Sequence, residues 1–366
     1  MSEKIVLEGK SKKDKVSKKK KRNHIILFTI EILALLVIIG VFLLIDKGTK
    51  VQKYDIKKED IIMNDKIEEI ESLKGYKNIA LFGVDSRGGK LGKGTLSDTI
   101  MIASINEDTH EVRLVSIYRD TYLNVGNNVY NKANTAYAKG GPQQAINMLN
   151  MNFDLNITDY VTVGFEGIIE AVDSLGGVEI DILENEIDWV NGYQASMFMD
   201  EGDGSEELNV EYTPIEEPGL QKVNGLQAMA FCRIRHVGNN DFRRTERQRI
   251  VIMAISERAK ILNIGKLNDI ADGVFPLVAT SLDLKEILDF LSNASKYTIV
   301  EQAGFPDLDN LWTGNISVGS SIVPTNLEEN VILLHEFLFE ESNYKVTPQI
   351  KEYDKNIKEK TAKYMN

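Results

Sequence analysis

NIALFGVDSR, residues 78–87, puts an acid and a base directly after a short apolar run. A run of this length, closed by Asp85 and the turn-forming Arg87-Gly88-Gly89, reads as a buried strand. The ends of such strands are where open α/β sheets take ligands. Working outward, DTIMIASIN (98–106) and EVRLVSIY (111–118) flank the turn-like EDTH and read as an antiparallel pair. GPQQAINMLNMNF (141–153) has helical spacing with Pro142 at its start, where a missing N–H costs nothing. YVTVGF (160–165) is a strand, and EGIIEAVDSLGG (166–177) a helix stopped by Gly176 and Gly177. VEIDI (178–182) returns as a strand, and 183–219 reads as an irregular excursion. Helices follow from NGLQAMAFCRIRH (224–236) and RRTERQRIVIMAISERAKIL (243–262), with two or three more in 264–298. NISVGSSIVP (315–324) is a last strand and LEENVILLHEFLF (327–339) a last helix. The alternation predicts an α/β fold, an α-β-α sandwich around a central mixed sheet.

The N-terminus carries a different signal. Residues 1–22 hold ten Lys and Arg against three acids, and residues 25–45 are apolar except for Glu31. About 20 apolar residues cross a bilayer as a helix. A transmembrane helix is therefore expected over 23–45, with no small-residue cleavage site after it. The basic tail 1–22 is expected in the cytoplasm and the rest outside, anchored to the cell membrane by a single pass. Residues 46–74 read as a charged helical stalk, 75–344 as the folded domain, and the lysine-rich 345–366 as a flexible tail. Beyond the tail and Glu31, 33 basic and 51 acidic residues remain, which excludes a general nucleic-acid binder. The single cysteine, Cys232, excludes an internal disulfide and a cysteine zinc site. An exported domain without disulfides suits a bacterial surface.

Against that acidic background, residues 232–249 gather six of the chain's eleven arginines, with no lysine from 223 to 259. A solvated helix face normally mixes lysine and glutamate, whereas arginine alone suits forked phosphate recognition. In a helix from 241, Arg244, Gln248 and Val251 share a face, as do Arg243 and Arg247. Asp85 and Asp98, at neighbouring strand ends, could share Mg²⁺ with phosphate oxygens, or each could satisfy turn amides. Arg119 ends another strand and could grip phosphate or pair with Asp120. GGKLGKGT (88–95) has Gly94 where a phosphate loop needs Ser or Thr. The four histidines show no metal spacing, and His236 reads as a core or phosphate-side hydrogen bonder.

In order, NIALFGVDSR, LSDTIMI, VSIYRDTYL, YNKANTAYAKGG, YVTVGFEGII, FCRIRH and DFRRTERQR resemble the LytR-CpsA-Psr family of cell-wall glycopolymer transferases. The resemblance covers residues 75–255 densely and weakens toward 340. It implies that Asp85 and Asp98 hold Mg²⁺ (Mn²⁺ as a substitute) against a pyrophosphate. It also implies a cage of Arg87, Arg119, Lys132, Arg233, Arg235, Arg244, Arg247 and Gln248. Arg87, Arg119 and Arg244 would act in catalysis, with Asp241 the candidate base by position. A hydrophobic tunnel would hold a polyprenyl chain, and a teichoic-acid-like or capsular glycan phosphate would pass to a peptidoglycan hydroxyl in a Gram-positive-type envelope. Tyr118 replaces the usual proline before Arg-Asp, Thr135 stands where the family has histidine, and Arg243 replaces a glycine. A polyprenyl-phosphate-binding regulator without chemistry and a lipid pyrophosphatase are the alternatives.

Overall fold

The computed structural model describes residues 51–54, 56–85, 90–196, 212–238 and 240–365. The expected tail 1–22 and membrane helix 23–45 lie outside the described residues, as does Arg87. Among the described residues no helix is long and apolar enough to cross a membrane.

The strands, in chain order, are β1 (Tyr76–Val84), β2 (Ser97–Asn106), β3 (Glu111–Ile117), β4 (Tyr122–Asn124), β5 (Tyr130–Lys132) and β6 (Asp159–Gly164). After them come β7 (Val178–Ile182), β8 (Gly219–Val223), β9 (Val278–Thr280), β10 (Thr298–Phe305), β11 (Leu311–Ile316) and β12 (Gly319–Pro324). The helices are α1 (Asn134–Phe153), α2 (Phe165–Ser174), α3 (Ile187–Ser196), α4 (Gly225–Arg233) and α5 (Asn240–Lys260). They continue with α6 (Ile264–Val274), α7 (Leu284–Ser292), α8 (Leu327–Phe339) and α9 (Pro348–Thr361).

Six strands form the central mixed sheet in the order β10-β3-β2-β1-β6-β9. β1 runs antiparallel to β2 and parallel to β6, and β3 runs antiparallel to β2 and parallel to β10. Side chains alternate across the pleat, so β1 serves two cores. Ala80, Phe82 and Val84 pack with Ile100, Ile102 and Ile117 against α1, α8 and α9. Ile79 and Leu81 face the other way, with Ala103 and Leu114, toward Ile252 of α5 and Phe290 of α7. Helices therefore flank the sheet on both faces, as the alternation predicts. A further apolar cluster ties α2, α3 and α4 to β7, β8 and α5 through Val172, Val190, Phe231, Ile180 and Val251.

α1 breaks at Gly140 and Gly141, and Gly141 has φ +65°, so Pro142 begins a fresh helical run. At the head of α4, a Cβ on Gly225 would lie 2.2 Å from the Ile169 carbonyl oxygen, so only glycine lets α4 meet α2 this closely.

Several segments differ from their expected form. The described part of 46–74 is no helical stalk. It carries short 3₁₀ turns at Lys58–Asp60, Ile67–Glu69 and Glu71–Leu73 and buries Ile67 and Leu73 in the core. Its backbone extends the sheet edge, with Gln52 N–H donating to Val278 (3.0 Å) and Gln52 accepting from Thr280 (3.2 Å). The 183–219 excursion contains α3, and the last strand is a hairpin, β11 with β12. Residues 345–366 are no loose tail: α9 buries Ile350 and Ile357 in the main core, and its lysines sit on the outer face.

Asp154 joins these outlying segments. It sits in the left-handed region after α1, fully buried. It accepts from Asn64 Nδ2 (2.6 Å), Tyr344 OH (3.0 Å), Thr347 N–H (2.9 Å) and Thr347 Oγ1 (2.7 Å). Ile350→Ala and Ile357→Ala should each lower stability by about 2–5 kcal/mol, read from the urea midpoint. A loose tail would leave the midpoint unchanged.

Candidate functional site

Between the sheet and the α2–α4–α5 unit lies a cavity of about 440 Å³. Leu81, Val161 and Val163 form its floor, with walls from Phe165, Ile168 and Ala171 of α2 and Met229 and Cys232 of α4. α5 contributes Arg244, Gln248, Val251, Ile252 and Ile255, one helical face that is polar in its first turns and apolar beyond. Asp85, Asp98, Arg233, Arg235, Arg244 and Gln248 gather on the same cavity. Asp85 follows the C-terminal end of β1, Asp98 lies at the start of antiparallel β2, and Arg244 and Gln248 are near the start of α5. Apolar walls with ionised groups at these element ends make a cavity of two characters.

Carboxylates hold the cations in place. Arg119, just past β3, pairs with Asp98 through Nη1. Its Nε lies 3.4 Å from Asp120 Oδ2 but is out of line for a hydrogen bond, and counts as a buried donor without an acceptor. Lys132 Nζ reaches Asp120 Oδ1 at 3.0 Å, and Arg244 Nη1 reaches Asp241 Oδ1 at 3.2 Å. Burial works against the Arg119 cation, but Asp98, Asp120 and Asp241 outweigh it and raise its pKa. Asp120 is shifted down: burial opposes its charge, and the bond from Lys132, the Arg119 charge and a bond with Asp241 prevail. Arg244 moves the other way, because burial and the neighbouring Arg119 lower its pKa more than Asp241 restores it. Its Nε is buried without an acceptor. A buried donor of this kind is ready for an anion. Arg233 lies over Phe165 (5.4 Å) and Tyr193 (5.5 Å), two rings that fix its guanidinium at the cavity wall.

The structure thus brings Asp85, Asp98, Arg233, Arg235, Arg244 and Gln248 onto one cavity, with Arg119, Lys132 and Asp241 joined to it through ion pairs. Arg247 departs from the expected cage. It is fully buried, with Nε on Glu186 Oε1 (2.8 Å), Nη1 on the Ile234 carbonyl (3.2 Å) and Nη2 on the Val237 carbonyl (2.9 Å). Its donors clamp the turn between α4 and α5, which places Arg233, Arg235 and Arg244. Arg243 pairs with Glu246 (2.6 Å) and Arg249 bonds Gln302 (2.9 Å). His236 is exposed and stacked on Trp189 (4.5 Å), not in the core. Burial pushes the Cys232 thiol up to about 12, which favours the neutral thiol over the thiolate.

Asp85 and Asp98 fit a hard divalent cation such as Mg²⁺, which binds through one or two carboxylates and completes its shell with water and phosphate oxygens. Among the described residues no group of three or more acids, histidines and cysteines is placed to hold a metal ion. Sequence reasoning missed Glu186, Phe165 and Tyr193. A buried acid in a segment read as irregular leaves no periodic signal, and the two aromatics become cation partners only through the packing of α2, α3 and α4.

The LytR_cpsA_psr family signature matches residues 44–325. The chain belongs to this family. A LytR_cpsA_psr relative, the polyisoprenyl-teichoic acid–peptidoglycan teichoic acid transferase TagU of Oceanobacillus iheyensis, is 32% identical over 240 residues, 63% of this chain and 67% of its own length. The structure described as TagT bound to LIIa-WTA aligns with TM-score 0.58 and 17% identity over 75% of this chain and 94% of that one. YwtF (TagT) with bound octaprenyl pyrophosphate lipid aligns with TM-score 0.54 and 16% identity over 77% and 100% of the two chains. At these identities the likeness shows the fold.

The two buried arginines of α5 should respond differently to removal. Arg247→Met leaves the fully buried Glu186 with only the more distant Arg243, at 3.9 Å, and should cost about 3–5 kcal/mol in urea unfolding. Arg244→Met leaves behind Asp241, whose side chain keeps 31% of its surface in water, and should change stability by less than about 1 kcal/mol. Equal losses would contradict this division of roles.

Proposed function

We propose that this chain transfers a glycopolymer, as its phosphate, from a polyprenyl-pyrophosphate carrier to a peptidoglycan hydroxyl. The observation that carries the reading is the two-part cavity, apolar within and lined at its charged end by Arg233, Arg235 and Arg244. A polyprenyl pyrophosphate has the same division, a long hydrocarbon joined to a compact polyanion. The names of the relatives, as teichoic acid transferases, support the same class of reaction.

In this mechanism the apolar walls take the prenyl chain and exclude water, and the arginines neutralise the pyrophosphate. The acceptor hydroxyl oxygen bonds to the glycan-bearing phosphorus while the bond from that phosphorus to the prenyl-phosphate oxygen breaks. Prenyl monophosphate leaves, and the glycan phosphate stays on the acceptor. Asp241, its carboxylate paired with Arg244, takes the hydroxyl proton. Arg119, held by Asp98, faces the charge that develops on the leaving phosphate. Mg²⁺ held by Asp85 and Asp98 would add charge neutralisation at the phosphates. The N-terminal anchor over 23–45 would keep the domain on the outer membrane surface, where carrier and wall meet.

The test uses the full chain in detergent with a lipid-pyrophosphate glycan and a peptidoglycan fragment, following joined product by mass spectrometry. Product should need a divalent cation and fall by about 100-fold or more in Arg119→Ala and Asp98→Asn. Tight lipid binding without product would instead make the chain a holding module. Free glycan phosphate alone would make it a hydrolase.

A further inference from the structure

Ring and guanidinium contacts lead out of the cavity in an unbroken series. Phe165 and Tyr193, both on the cavity wall, each lie against Arg233. Tyr193 is 6.4 Å from Trp189, one turn earlier on α3. Trp189 stacks on His236 at 4.5 Å with an interplanar angle of 26°. Neither Trp189 nor His236 lines the cavity, but His236 directly follows Arg235, which does. The stack therefore lies just outside the polar end.

Packing does not account for the stack. α3 is anchored by Val190 and Gln194, both fully buried, while Trp189 is 38% exposed and His236 is exposed. Leaving more than a third of a tryptophan in water forgoes part of the gain from burying it. A partly exposed aromatic stack beside a cationic rim suits a ligand that is apolar on one side and hydroxylated on its edge. A pyranose has that form, since its axial C–H groups make one apolar face.

We propose that Trp189 and His236 form a saccharide subsite, on which the first pyranose beyond the pyrophosphate packs. The inference rests on the reading of the cavity as a lipid-pyrophosphate site. A pyrophosphate between Arg233 and Arg235 carries its prenyl chain inward along the apolar walls. Its other substituent then emerges beside His236 and meets the ring of Trp189. The subsite distinguishes a glycosylated carrier from a bare one, so empty carrier is held less tightly.

The experiment uses the full chain in detergent micelles with two probes, farnesyl pyrophosphate and the same lipid carrying one glucose. The chain has two tryptophans, so a Trp312→Phe background makes emission report Trp189 alone. The glucose-bearing lipid should bind about five-fold tighter than the bare lipid and change that emission. Trp189→Ala should abolish the sugar-dependent gain while binding of farnesyl pyrophosphate stays within about two-fold. Trp189→Phe should keep most of the gain. Equal binding of both lipids by the parent chain, a gain that survives Trp189→Ala, or an equal loss for both lipids would overturn the subsite and leave the cavity reading standing. A parent chain that binds neither lipid would overturn both.

Discussion

Cations of one sign do not gather in a half-buried place unaided, and the charged end of this cavity depends on how that repulsion is met. Arg119 and Arg244 stand close enough for each to feel the other, and burial disfavours both charges. Asp98, Asp120 and Asp241 offset this unevenly. The balance raises the pKa of Arg119 and lowers that of Arg244, and each keeps a buried Nε donor without an acceptor. A polyanion bound there, as proposed, would favour both charges. Asp120 is central to the balance because it meets Lys132, Arg119 and Asp241 together.

The scaffold is arranged around the same end. β1 delivers Asp85 and β2 delivers Asp98, while the residue after β3's end leads into Arg119. α5 must cross the sheet at one rotation, so that Arg244 and Gln248 look into the cavity and Ile252 reaches the sheet core. The Arg247–Glu186 pair and the two carbonyls that Arg247 holds secure that rotation. A buried ion pair is seldom retained for stability alone, and here its geometry places the neighbouring arginines.

Much of this was legible in sequence because period and position carry it. The apolar run ending at Asp85, the pair of strands before Arg119 and the Arg244–Gln248–Val251 face of α5 all follow from counting residues along a strand or helix. The separate duties of Arg244 and Arg247 do not. The two lie about 60° apart around α5, and only the arrival of Glu186 from a distant segment decides which turns inward. Charge density misled at both ends of the domain. The lysines and acids of 51–74 and 345–365 obscure Ile67, Leu73, Ile350 and Ile357, which the core buries. Asp154 collects donors from both of these segments, a junction with no local signature.

The proposed transfer requires the cavity to berth a prenyl chain with its pyrophosphate among the arginines. Native mass spectrometry of the full chain in detergent, given octaprenyl pyrophosphate or octaprenol, tests this most directly, with Ala171→Trp as the variant that fills the apolar wall. One octaprenyl pyrophosphate per chain is expected, with much weaker retention of octaprenol and loss of the adduct in the filled variant. Equal retention of both lipids, or an adduct unaffected by filling the cavity, would contradict it.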